Sequence, residues 1–395
     1  MIPRTRSYTR LTTLVAAIAA LACVDGPSRV LQPTAPRLDA VKFWEATAST
    51  TWNRRATALL VQRPPASNAQ AAASRILTYL SLAQYRAVLA AEEGKEGSTH
   101  PSVPAAVGGA SVAVLSVFFP LDVAALEGQL DADLAAPQWP GATQEDPAAG
   151  EAIGRAVGAA VIAFAASDNS FALSPGVPPV GPGYWWSSGA PIVRSLYGAR
   201  PFFMKTVNDL NSPPPPAFGS AEFAAALAEV RAISDTRTGE QLAIAQFWNF
   251  SAAPFTAGAL NRIADSLIND HHRTEREAAR ILAYANAAAF DAQIACFQTK
   301  FLYWFIRPSQ ADPAIALPIG LPNHPSYPSA HSCITSAIMT VLADALPDER
   351  GRLEGIIELA GLSRVYGGIH YRFDIEAGQK IGRAAAALAL AGTLR

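Results

Sequence analysis

The chain has 395 residues, half of them hydrophobic and only 16% charged, with a formal net charge of −1. That is enough for a large buried core in one big domain or two ordinary ones. A near-neutral balance excludes a general nucleic-acid or polyanion binder, so any positive charge that matters is local.

The N-terminus reads as an export signal spanning residues 1–22. Arg4, Arg6 and Arg10 precede an apolar stretch from Leu11 to Ala22 that is too short to span a bilayer comfortably. Cys23 follows the small residues Ala20-Leu21-Ala22, so the segment also reads as a lipoprotein signal with Cys23 as the lipidated first residue. Plain secretion is the alternative, and either route places the mature chain outside the cytoplasm. A lipid on Cys23 would be its membrane attachment. Residues 24–40 carry prolines and little periodicity, as a tether does.

Residues 41–395 read as one α-helical domain. From Phe43 to Ala91 the pattern is helical, with Ile76, Leu77, Leu80, Leu82, Ala83 and Tyr85 as apolar positions. The apolar stretch Val103 to Phe119 is cut by Pro120 before it could cross a membrane. Asp122 can cap a following helix, and Glu151 to Ala166 forms another built from small residues. Between Ser174 and Pro216 the prolines forbid regular helix, while Trp185, Trp186, Tyr197, Phe202 and Phe203 favour an ordered surface wrap over a linker. Helices resume at Ser220 to Ile233, Gly239 to Phe250 and Ala257 to Asn269. No strand alternation of useful length and no transmembrane array appears, so the fold class is all-α.

Thr274-Glu275-Arg276-Glu277 is a capping box that opens a helix running to about Ile306. Asn286, Gln293, Lys300 and Arg307 recur at intervals of seven and share roughly one face of it. The aromatic run Phe301-Leu-Tyr-Trp-Phe-Ile around the two cations argues for burial on several sides. Pro328-Ser329 enters the next helix, whose first N–H groups favour an anion. His331 sits in its first turn, where the helix dipole lowers an imidazole pKa. Arg364 adds a second guanidinium fork beside the Lys300 point charge. His370 and Asp374 lie four apart, so the carboxylate can fix the imidazole tautomer and leave the other nitrogen as ligand or nucleophile. These clusters lie within 296–376 and are the parts needed to hold a tetrahedral oxyanion against an imidazole. Cys296 and Cys333, flanking two of the clusters, are either bridged or two buried thiols. His271-His272 read as a solvated loop, and Trp185-Trp186 as packing over the helices.

Taken together, Lys300 with Arg307-Pro308, Pro328-Ser329-Ala330-His331, and Ser363-Arg364 with His370 and Asp374 resemble the type-2 phosphatidic acid phosphatase superfamily. Vanadium-dependent haloperoxidases belong to that superfamily. Ala330 stands where the family pattern has glycine and keeps the backbone N–H. The long helical N-terminal half, the Trp/Pro-rich middle and Phe247-Trp248 are similar to the haloperoxidase branch. The resemblance implies an all-α helix-bundle domain of the vanadium haloperoxidase and acid phosphatase type.

It also implies roles. His370 would be the vanadium ligand, with vanadate as cofactor, and Asp374 would orient it. Lys300, Arg307, Ser329, Ala330 and Arg364 would bind the oxyanion oxygens. Lys300, His331, His370 and Asp374 would be catalytic, His331 as the acid–base residue. His324 and Phe297 fall where the halide site is modulated. Hydrogen peroxide and a halide or small organic substrate would be the partners. An exported acid phosphatase working through a phosphohistidine on His370, without vanadate, is the alternative from the same residues. A non-catalytic oxyanion-binding lipoprotein has only Ala330 in its favour.

Overall fold

The computed structural model describes residues 48–65, 69–94, 99–135, 145–173, 177–187, 195–250 and 254–394. The segments read as an export signal and a tether, with Cys23 and Phe43, lie outside the described residues. Most of what is described is helix, as the patterning required. The helices are α1 (Ala48–Gln62), α2 (Ala69–Glu93), α3 (Val103–Phe118), α4 (Val123–Ala135), α5 (Pro147–Ala165), α6 (Ala221–Thr236), α7 (Gly239–Phe247), α8 (Phe255–Asp270), α9 (Glu275–Tyr303), α10 (Pro308–Ala311), α11 (Ala330–Ala345), α12 (Arg350–Tyr366) and α13 (Arg372–Ala391). One parallel pair of two-residue strands, β1 (His100–Pro101) and β2 (Glu145–Asp146), joins the ends of two loops.

Proline accounts for the first departure from expectation. The helical pattern read from Phe43 to Ala91 is two helices, α1 and α2, separated around Pro64 and Pro65. Helix α9 starts where its capping box places it. Thr274 Oγ1 accepts the Glu277 N–H at 3.3 Å, and Glu277 Oε2 accepts the Thr274 N–H at 2.9 Å. From Ala278 to Phe301 most of its side chains are buried, because α2, α8, α11 and α13 pack around it. A helix that is apolar all round must be a core helix. One apolar core gathers α7 to α9 and α11 to α13, with Leu282, Phe290, Ile294, Ile338, Met339 and Ile381 among its members. A second gathers α1 to α5.

The stripe of Asn286, Gln293 and Lys300 is therefore internal. Asn286 Nδ2 donates to Asn261 Oδ1 at 3.0 Å, and Ser74 Oγ donates to Gln293 Oε1 at 2.7 Å. Asn53 Nδ2 in turn reaches Asn261 Oδ1 at 3.2 Å and Asp265 Oδ1 at 2.9 Å, so α1, α8 and α9 share one buried polar network. Arg307 is not on α9. The helix ends at Tyr303 because Trp304 adopts a left-handed conformation at φ 50°, its N–H capping the Lys300 carbonyl.

That turn is clasped by the Trp/Pro-rich segment. Trp185 N–H donates to the Trp304 carbonyl at 2.6 Å, and Ile306 N–H donates to the Gly183 carbonyl at 3.0 Å. The Trp185 ring stacks on Trp304 with centroids 6.2 Å apart, while Trp186 stays exposed. Asp291 of α9 accepts the N–H groups of Phe202, Phe203 and Met204 at 2.7–3.0 Å. Tyr303 and Tyr327 hydroxyls donate to the Ser212 and Pro213 carbonyls. Where described, this stretch is an ordered wrap that fixes the exit of α9.

Helix α5 is long and apolar enough, by length and composition, to cross a membrane, although the sequence led to no such helix being expected after residue 22. Its glycine face, Gly150, Gly154 and Gly158, presses on α3, and Arg155 near its middle pairs with Glu127 and Glu151. A second close approach shapes the C-terminal half. A Cβ on Gly378 of α13 would lie 2.5 Å from the Ser329 carbonyl and 2.8 Å from Ser332 Cβ. Helices α11 and α13 can touch there only because Gly378 has no side chain.

Alanine normally favours helix over glycine by about 1 kcal/mol. Gly378→Ala should nevertheless destabilise the protein by about 1–3 kcal/mol through overpacking. Gly128→Ala in α4, with nothing within 4 Å of its Cβ, should be neutral or stabilising. Urea unfolding of both variants against the parent checks the pair.

Candidate active site

The exit of α9, the start of α11 and the loop from α12 to α13 meet at one point. Lys300 comes from the last turn of α9 and is fully buried. Its ammonium donates to the carbonyls of Pro325 and Ser326 at 2.8 Å and to that of Pro328. An ammonium has three N–H donors. All are directed at the loop that leads into α11, so Lys300 ties that loop down and offers the site its charge.

Arg307 sits at the N-cap of α10, completely buried. Its Nε donates to the His324 carbonyl at 3.0 Å and its Nη1 to the Ile369 carbonyl at 2.7 Å. Nη1 also lies 3.1 Å from His370 Nε2, and Nη2 lies 3.1 Å from His324 Nδ1. The other face of His370 meets Asp374, with Nδ1 2.8 Å from Oδ2. A carboxylate accepts and a guanidinium donates, so His370 carries its proton on Nδ1 and keeps its lone pair on Nε2. That is the tautomer of a ligand or nucleophile. Any ligand on Nε2 takes the place now held by Arg307 Nη1.

Asp374 is the N3 residue of α13, where its carboxylate also accepts the Tyr371 N–H at 3.1 Å. Ser326 Oγ donates to the same Oδ2 at 2.6 Å, and the Ser329 N–H bonds the Asp374 carbonyl at 2.9 Å. Oδ1 is buried without a partner. Burial pushes the carboxyl up to about 6, against the hydrogen bond from Ser326 and the charges of Lys300 and Arg307.

Ser329 is the N-cap of α11 and accepts the Ser332 N–H at 3.4 Å. Ala330 is the first helical residue and is not among the residues with positive φ, so the side chain is accommodated where the family pattern has glycine. His331 Nε2 lies 3.3 Å from Thr256 Oγ1. Burial, and then the charge of Arg364, hold His331 well below the usual imidazole range. The chief cause is desolvation, more than the helix start alone would give. Arg364 closes the site from α12, with Nε donating to Ser363 Oγ and Nη2 to the Ala245 carbonyl, each at 3.0 Å.

A cavity of about 340 Å³ opens here, and Ala330, His331, Arg364, His370, His324 and Phe297 are among its walls. Lys300, Arg307 and Ser329 lie behind that lining. His324 is no solvated loop residue, since its ring lies 5.3 Å from that of Phe297 and its Nδ1 faces Arg307. Cys296 and Cys333 are free and buried, not bridged. His271 pairs with Glu349 at 3.1 Å, away from the cavity, and no cluster of metal-ligating side chains is found among the described residues.

Sequence reasoning missed Thr256, Gln70 and Ser326. Each is a common residue type outside the matched clusters, and only the fold brings it to the site.

The electrostatics are one-sided. Lys300, Arg307 and Arg364 are all buried around a single carboxylate, Asp374. Desolvation pulls Lys300 down to about 8, Arg307 to about 10 and Arg364 to about 9. Buried cations in such surplus call for an anion. The charge of protonated Lys300 favours a bound oxyanion, so oxyanion affinity should be full below pH 8 and fall as pH rises through about 8. The limiting slope is about tenfold per unit, since one pH unit is about 1.36 kcal/mol for each proton linked. Sulfate titration by calorimetry from pH 6.5 to 9.5 reads this without a change in the ligand's own charge. Lys300→Met should remove the step near 8.

Residues 278–394 match the sequence model of the PAP2 superfamily. No curated protein matches the chain by sequence. Among solved structures, a bacterial vanadium-dependent iodoperoxidase superposes with a TM-score of 0.71 at 21% identity, over 87% of this chain and 95% of its own. A bacterial vanadium-dependent chloroperoxidase superposes in its holo form with a TM-score of 0.66 at 14% identity, over 91% of this chain and 98% of its own. Its apo form does so over 80% and 92%, with the same score and identity. At these identities the likeness is one of fold. Residues 278–394 thus match the PAP2 superfamily model, in a chain whose all-α fold is similar to that of these vanadium-dependent haloperoxidases.

Proposed function

We propose that the protein is a vanadate-dependent haloperoxidase that uses hydrogen peroxide to oxidise halide. The observation that carries this reading is the buried surplus of Lys300, Arg307 and Arg364 around a histidine whose Nε2 lone pair is held ready by Asp374. A tetrahedral oxyanion fits that donor set in charge and in donor chemistry. The extent of the haloperoxidase fold, including the helices before the oxyanion site, favours this branch over a plain phosphatase.

Vanadate would be held by His370 through Nε2, with Arg364, the Arg307 fork, Ser329 and the Ala330 N–H around its oxygens. Bound there, it would supply the Lewis acid that activates peroxide for oxygen transfer to halide. The chain's own work is to bind and orient. Asp374 keeps the His370 proton on Nδ1, and Ser326 holds the carboxylate in place. Lys300 fixes the loop entering α11 and adds positive charge that would offset the negative charge of a bound oxyanion. His331, neutral at neutral pH because it is buried, can take a proton from peroxide and give it back. His324 and Phe297 stand on the cavity wall where a halide or a small organic acceptor would approach. With residues 1–22 read as an export signal, the reaction would belong outside the cytoplasm.

The same cage would serve a phosphatase, with His370 Nε2 attacking phosphorus and His331 protonating the leaving oxygen. The deciding measurement is bromide oxidation by the mature protein with hydrogen peroxide, with and without orthovanadate, beside hydrolysis of a phosphate monoester. Oxidation that requires vanadate and disappears in His370→Ala is the expected result. Hydrolysis that vanadate inhibits, with no halide oxidation, would overturn the proposal in favour of the phosphatase.

A further inference from the structure

Among the described residues, His331 is the histidine of the site whose ring is met by a hydroxyl on the cavity wall, and it also has a hydrogen bond to the Trp248 backbone. Thr256 Oγ1 lies 3.3 Å from His331 Nε2, and Thr256 is itself buried. Both residues line the same cavity. The threonine belongs to none of the clusters that mark the oxyanion site. It comes from the first turn of α8, 75 residues before His331.

The backbone there is built to present it. Helix α8 begins with Phe255 at φ 64°, a left-handed conformation that an aromatic residue adopts only at a cost. The helix has no side-chain cap of its own. A helix N-terminus leaves free N–H groups that need acceptors. The Thr256 N–H finds one in Gln70 Oε1 of α2 at 3.0 Å, while Gln70 Nε2 donates to the Phe250 carbonyl. Gln70 therefore spans the start of α8 from another helix, using both ends of its amide. A strained residue and a long-range cap together aim one hydroxyl at one imidazole nitrogen.

A hydroxyl suits that place for a simple reason. It donates to an unprotonated Nε2 and accepts from a protonated one. A histidine that takes up and returns a proton keeps a partner in both states and its ring need not turn. A carboxylate would hold the proton, and an amide would favour one state according to which end faced the ring.

We propose that Thr256 is a positioning residue for the acid–base step, holding the His331 ring by hydrogen-bonding Nε2 in both of its protonation states. This rests on the function proposed above. Gln70 supports the arrangement by fixing the Thr256 backbone.

The test compares Thr256→Val, which keeps shape and loses the hydroxyl, with Thr256→Ser, which keeps the hydroxyl. Thr256→Val should lower kcat about tenfold, part of the roughly hundredfold or more that a positioned acid–base group supplies. KM and oxyanion affinity should not change, and Thr256→Ser should restore most of the loss. In a His331→Ala background, Thr256→Val should cost nothing further, because a residue that acts through His331 has no effect without it. Ring-nitrogen NMR shifts of His331 give a readout without turnover. Thr256→Val should change them in the vanadate-free protein, and Thr256→Ser should not. A Val variant with parent kcat and parent ring shifts would overturn the proposal, and so would a further loss on top of His331→Ala. If the parent protein turns over neither halide nor phosphate ester, the functional reading fails, while the ring shifts still decide whether Thr256 holds His331.

Discussion

Three cations buried around one carboxylate are the constraint that the rest of this protein serves. Lys300, Arg307 and Arg364 are each removed from water, and Asp374 is the carboxylate placed among them. Such a cluster would repel itself apart if the chain were free to move. It is held because every cation is also hydrogen-bonded to backbone carbonyls: Lys300 to Pro325, Ser326 and Pro328, Arg307 to His324 and Ile369, and Arg364 to Ala245. Carbonyl dipoles replace part of the lost hydration without cancelling the charge. The positive potential is left for a ligand, in a place where low dielectric makes it strong.

This division of labour explains much of the surrounding architecture. The carbonyls must be presented by loops, so the loops must be rigid. The Lys300-tethered loop before α11 is fixed from below by the ammonium, and the chain leaving α9 is clasped by Trp185 through both a backbone hydrogen bond and ring stacking. Close contact of α13 with α11 at Gly378 brings the Asp374 carbonyl to the Ser329 N–H. The same contact therefore couples helix packing to the tautomer of His370. Asp291, accepting three backbone N–H groups of the segment 202–204, anchors the wrap to the far side of α9.

The three histidines of the cavity show how one electrostatic setting yields different parts. His370 has a carboxylate on one nitrogen and a guanidinium on the other, which fixes it as a lone-pair donor. His324 faces the Arg307 guanidinium and packs on Phe297, which keeps it neutral at the wall. Burial and then the charge of Lys300 hold its pKa low. His331 has the Thr256 hydroxyl on Nε2 and a hydrogen bond to the Trp248 backbone, and it stands near Arg364, with no carboxylate or guanidinium bonded to its ring among the described residues. Only the partners on the ring nitrogens differ.

The sequence by itself determined the class of fold and the inventory of the site. Alanine-rich helical patterning, the Thr274 capping box and the prolines that end helices are local signals, and local interactions decide them. The cationic and histidine clusters were legible because their spacing along the chain is tight. The reading failed where one local pattern met another: Pro64 and Pro65 split the first helical stretch, and Trp304 turned the chain before Arg307 could join the stripe of α9. What only the tertiary structure decided is which groups spend their hydrogen bonds on the protein and which remain for a ligand. Lys300 looked like a direct oxyanion donor, yet its N–H groups go to carbonyls. Thr256 and Ser326 carried no signal, yet they touch His331 and Asp374. Hydrogen-bond partners far apart in the chain are chosen by packing, and residue type fixes only what a side chain is able to bond.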